Sequence, residues 1–181
     1  MKRVIPQFKP GLFAVLAFGL SLSSIGVAQQ PNVAAQRDAM KKLAFLAGHW
    51  SGPVTIVRGP GEPLHLTQTE NIEYKLDGLV LLIEGGSTAA DGKMQFQALA
   101  SIAYDDASHT YRFRAYNEGR YLDTELTVQP EGVSWGFDAG PAKIRNTMQL
   151  TAKGEWQEST DVAFGTAPPH RSVEMLLQHR Q

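Results

Sequence analysis

From about residue 50 to the C-terminus, apolar residues recur at every second position in short runs broken by turn-forming clusters, the pattern of half-buried antiparallel strands. Ten runs are read, near Trp50–Arg58, His65–Lys75, Gly78–Thr88, Met94–Tyr104, Thr110–Asn117, Arg120–Val128, Gly132–Phe137, Lys143–Thr151, Glu155–Phe164 and Arg171–His179. Between them stand Asp77-Gly78, Asp91-Gly92, Glu118-Gly119, Pro130-Glu131-Gly132 and Lys153-Gly154, clusters suited to tight turns. Links this short make hairpins, and a long meander of hairpins removes its aggregation-prone edges by closing on itself. One helix precedes the strands, across residues 35–47, with Met40, Leu43 and Ala47 on its apolar side and Arg37, Lys41 and Lys42 on the wet side; Gly48 stops it. The expected fold is all-β: a roughly ten-stranded antiparallel up-and-down barrel with one short N-terminal helix.

Alternation also gives an inside list. In the second strand Leu64, Leu66, Gln68, Glu70, Ile72 and Tyr74 share the interior face. The fourth strand turns Met94, Phe96, Ala98, Ala100, Ile102 and Tyr104 inward, and the ninth turns Trp156, Glu158, Thr160, Val162 and Phe164 inward. Two interior faces therefore carry a carboxylate, which must find a cation, stay protonated or meet water in an open cavity. Arg112 and Arg114 in the fifth strand and Arg145 in the eighth are the candidate cations. The third strand, Leu79-Val80-Leu81-Leu82-Ile83, is apolar on both faces, so the helix or a partner is expected to cover its outside.

Residues 1–28 have the layout of a signal peptide. Lys2, Arg3 and Lys9 precede an apolar run from Gly11 to Leu22, and Gly26-Val27-Ala28 offers small residues for cleavage. The apolar run is about 12 residues, short of the roughly 20 that cross a bilayer as a helix. The chain has 0 Cys, so neither a lipid-anchored cysteine nor a disulfide framework is open to it. The expected organisation is a leader over 1–28, a flexible lead-in over 29–34 and one barrel domain over 35–181, periplasmic or secreted and without a stable membrane anchor. The leader holds 3 of the 17 basic residues and none of the 18 acidic ones, leaving a net charge of −4 beyond it. A mildly acidic chain without basic clusters is a poor partner for nucleic acid.

The helix runs into Phe45-Leu46-Ala47-Gly48-His49-Trp50-Ser51-Gly52, a Gly-x-Trp at the first strand. With Leu76-Asp77-Gly78, Tyr104-Asp105, Gly154-Glu155-Trp156-Gln157-Glu158 and Glu174-Met175-Leu176-Leu177 with Arg180, the chain resembles an uncharacterised family of exported bacterial proteins with a lipocalin-like barrel of the calycin, nitrobindin-like group. The resemblance implies that Trp50, set by Gly48, plugs the closed end with Arg180 lying across it as a structural pair. It also implies haem as a possible cofactor, since nitrobindin-like relatives hold it through a histidine near the C-terminal strand. His170 and His179 are the positions to ask about.

The residues themselves offer no metal-ligand spacing among His49, His65, His109, His170 and His179, and no nucleophile elbow, phosphate loop or dinucleotide fingerprint. Catalytic and metal-ligating residues are therefore assigned to none. The expected function is binding or carriage of a small, largely apolar molecule. Met94, Phe96, Tyr104 and Trp156 would hold its body, and Glu70, Glu158, Arg112, Arg114 and Arg145 its polar end. The alternatives are an envelope interaction module, and an enzyme using Glu70 and Glu158 as acid and base.

Overall fold

A computed structural model describes residues 30–180; the expected leader, 1–28, lies outside them. A helical segment leads into ten strands: α1 (Val33–Met40) continues as a 3-10 turn, Lys41–Leu46, and is followed by β1 (Gly48–Ile56), β2 (Leu64–Lys75), β3 (Val80–Thr88), β4 (Met94–Asp105), β5 (Thr110–Asn117), β6 (Arg120–Gln129), β7 (Gly132–Ala139), β8 (Ala142–Leu150), β9 (Trp156–Phe164) and β10 (His170–Arg180). Each strand pairs antiparallel with its sequence neighbour, and β1 closes the barrel against β10, from His49↔Arg180 to Ile56↔Val173. No helix among the described residues is long and apolar enough to cross a membrane.

The helix starts two residues earlier than its apolar spacing predicts. Asn32 caps it, its Oδ1 accepting from the Ala35 amide at 3.0 Å while its own amide donates to Asp106 Oδ2 at 2.6 Å. Met40, Leu43 and Leu46 are fully or almost fully buried. A spacing of three is the repeat of a 3-10 helix, in which such residues eclipse into one stripe, so Leu46 rather than Ala47 completes the buried face.

That stripe closes one end of the barrel. Tyr74 donates its hydroxyl to Met40 O and Tyr111 donates to Ala39 O, each at 2.8 Å, while the Trp50 indole N–H donates to Leu46 O at 2.8 Å. Trp50, Ile72, Leu81, Ile102, Met148, Trp156 and Leu177 pack beneath the helix as one core. The turns linking β1–β2, β3–β4, β5–β6, β7–β8 and β9–β10 all fall at the opposite end, which no helix of the described residues covers. Among the described residues no helix covers the outer face of β3 either: Leu82 sits half-buried between Glu73 of β2 and Ser101 of β4.

Candidate functional site

Small side chains on three consecutive strands leave the interior hollow. On the inner faces, Gly85 of β3 lies opposite Ala98 of β4, and Ala100 of β4 lies opposite Ala115 of β5. Two adjoining spaces result. The larger, about 720 Å³, reaches toward the uncovered end and is walled by Phe96, Phe113, Leu122, Trp135, Phe137 and Ile144. The smaller, about 120 Å³, lies deeper, between Glu70, Glu158, Trp156, Gly85 and Met175. Phe113, Ala115 and Trp135 line both.

The wall is incomplete beside the larger space. Pairing between β6 and β7 runs only from Gln129↔Gly132 to Leu126↔Trp135, although both strands continue toward the uncovered end. Beyond it the Thr124 hydroxyl donates to Gly136 O at 2.8 Å. The slot past that contact is flanked by Leu122, Phe137, Asp138 and Ala139, which also line the chamber.

The floor of the deep chamber is acidic. Glu70 and Glu158 are each only 9% exposed. Glu70 Oε1 accepts from Gln68 Nε2 at 2.6 Å, and the Gln68 carbonyl in turn accepts from the Ser87 hydroxyl. Glu158 Oε2 accepts from the Trp156 indole N–H at 3.0 Å. No ion pair reaches either carboxyl among the described residues. Burial pushes Glu70 up to about 7, against the opposing pull of the Gln68 bond. Burial, reinforced by the nearby charge of Glu70, pushes Glu158 up to about 8. The geometry permits this because Gly85 has no side chain: a Cβ there would stand 2.6 Å from Glu70 Oε2.

The predicted site residues divide accordingly. Glu70, Glu158, Phe96 and Trp156 line the interior spaces. Arg112 and Arg114 do not: Tyr111, Phe113 and Ala115 take the inner face of β5, which sends both arginines outward to Asp123 of β6. The two guanidiniums hold the Asp123 carboxyl down at about 2. Arg145 is exposed on the outer face of β8, opposite Asp161, because Ile144 and Asn146 face in. Met94 is 46% exposed, since an irregularity beside Thr88↔Met94 reverses its side and its sulfur rests against the outward position of Gly86. Tyr104 faces inward but lies at the closed end, edge-on to Tyr111 with centroids 4.9 Å apart, away from both spaces.

Trp50 is the closed-end plug, and Arg180 is not its partner. The register sets Arg180 opposite His49, and the residue opposite Trp50 is His179, whose ring meets the indole edge-on at 4.9 Å. His179 is thus committed to the closed end beside Gly48, and His170 stacks on Phe164 with centroids 6.0 Å apart. Neither lines the interior spaces, so neither fits as an axial ligand for a haem held there. Two further polar residues stand on the chamber wall: Asn146, which alternation had not placed, and Thr160, expected inside but not at the site, whose hydroxyl donates to Asn146 Oδ1 at 2.7 Å. Their signal was small polar residues on otherwise apolar inner faces.

The crystal structure of Rv2717c from M. tuberculosis matches this barrel with a TM-score of 0.60 at 12% sequence identity, covering 79% of this chain and 98% of that one. The likeness is one of fold. No protein-family model matches the sequence, and no curated protein matches it.

Proposed function

We propose that the barrel binds and carries a small, largely apolar molecule outside the cytoplasm, as an exported protein of the calycin-like kind its motifs resemble. The observation that carries this is the roughly 720 Å³ chamber walled by aromatic and aliphatic side chains beneath an uncovered end. A space of that size lies within the range of small-molecule sites, and apolar walls with a few placed polar groups are their usual make-up. The unpaired stretch between β6 and β7 is the place in the wall where a ligand body would pass. The leader-like first 28 residues support the extracytoplasmic setting.

The test is a titration with N-phenyl-1-naphthylamine, a neutral probe whose fluorescence rises in apolar surroundings. A saturable rise at one site per chain is expected. Ala115→Trp, placed where the two spaces meet, should lower the affinity at least about tenfold without lowering the melting temperature, because the new ring fills existing space. A wild-type barrel that produces no saturable signal would overturn the reading.

A further inference from the structure

Two buried carboxyl groups share one end of the cavity, and none of the described residues supplies a charge to neutralise them. The neighbouring inner faces show Trp50 and Val54 from β1, Ile83 and Gly85 from β3, Asn146 and Met148 from β8, and Met175 and Leu177 from β10. None of these titrates. Toward the closed end the titratable groups on the inner faces are His179, which meets Trp50, and Tyr74, Tyr104 and Tyr111, under the helix. Arg120, at the uncovered end, is the one basic residue among the described residues that lines either space, and Asp138 stands with it. Glu70 Oε2 and Glu158 Oε1 receive no donor from the described residues.

The walls around the carboxyls are aromatic. Trp156, Trp135 and Phe113 line the same small chamber as Glu70 and Glu158. Ring faces attract a cation, and more strongly where water is excluded. Removing a charge from water is costly unless an opposite charge meets it, so a bound cation would offset the burial of the glutamates.

We propose that the molecule carried is an organic cation, with its ammonium head between Glu70 and Glu158 and its apolar body in the larger chamber. This deepens the carrier reading and rests on it. A neutral hydrogen-bond acceptor would suit the same carboxyls only while they are protonated. A cation suits them ionised, so its capture releases protons and strengthens as pH rises. The two ligand classes therefore have opposite pH dependences.

The experiment displaces N-phenyl-1-naphthylamine with three probes sharing one ten-carbon body: decylamine, decanol and decanoate, each at about pH 6 and about pH 9. The amine should outbind the alcohol by about tenfold or more at the higher pH, and by less at the lower. Decanoate should be the weakest of the three. Calorimetry in two buffers of different ionisation enthalpy should show proton release on amine binding near neutral pH. Glu158→Gln and Glu70→Gln, checked for folding by circular dichroism, should each collapse the amine-to-alcohol ratio toward one. If the fluorescent probe binds but alcohol or decanoate equals or beats the amine at the higher pH, the cation inference fails and the carrier reading stands. If the fluorescent probe gives no saturable signal, both fail.

Discussion

Glu158→Gln is expected to stabilise the barrel by a few kcal/mol at about pH 9 and to change little at about pH 4. The ordinary value of this carboxyl is 4.5, and in the barrel it is pushed up to about 8 by burial and by the charge of Glu70. Below 4.5 both folded and unfolded chains hold the proton, so the group is neutral to stability. Between 4.5 and about 8 the unfolded chain releases it and the folded chain keeps it, so stability falls as pH climbs. Above that range the barrel bears the full cost of a buried charge. Glu70 adds a loss of the same sign between 4.5 and about 7. Glutamine keeps the shape and cannot ionise, so the variant should lose the part of the slope that belongs to Glu158. Urea denaturation across this pH range measures it, and parallel pH profiles for wild type and variant would refute the assignment.

Gly52→Ala is expected to destabilise the barrel by about 3 kcal/mol or more, at or beyond the upper end of ordinary overpacking. Gly52 lies on β1 where the first and last strands close the barrel. A Cβ there would overlap Leu176 O and stand 2.9 Å from Leu177 Cα, both backbone atoms of β10. Backbone cannot swing aside as a side-chain tip can, so the seam itself must open. The control is Gly61→Ala, in the β1–β2 link, where an added Cβ meets nothing within 4 Å. It should be near neutral, since only unfolded-chain entropy changes. Equal denaturation midpoints for the two variants would show that the seam tolerates the added methyl.

The strands were legible in the chain because their punctuation is local. Asp77, Gly78, Gly92, Glu118, Gly119, Glu131, Gly140 and Gly154 all take positive φ in the turns that separate the runs. Glu70 and Glu158 were legible as interior because their strand neighbours leave no choice: Leu66 and Ile72 flank one, and Trp156 the other, all buried. The arginines of β5 were not, because large residues occupy both faces of that strand, Tyr111 and Phe113 inside and Tyr116 outside, and alternation cannot rank them. Met94 depends on an irregularity in the β3–β4 register, and Arg180 on a one-residue offset against Trp50, both of which only strand pairing reveals. The chamber was half visible: Gly85, Ala98, Ala100 and Ala115 are plain in the chain, but their gathering across three strands is a matter of register.

A molecule held inside the wall, above a floor of uncompensated carboxyls, is what every functional statement here requires. Native mass spectrometry of the protein recovered from its own host, before and after incubation with decylamine, reads this directly. The expected spectrum shows one small molecule per chain, exchanged for decylamine on incubation. A bare chain in both spectra would contradict the account.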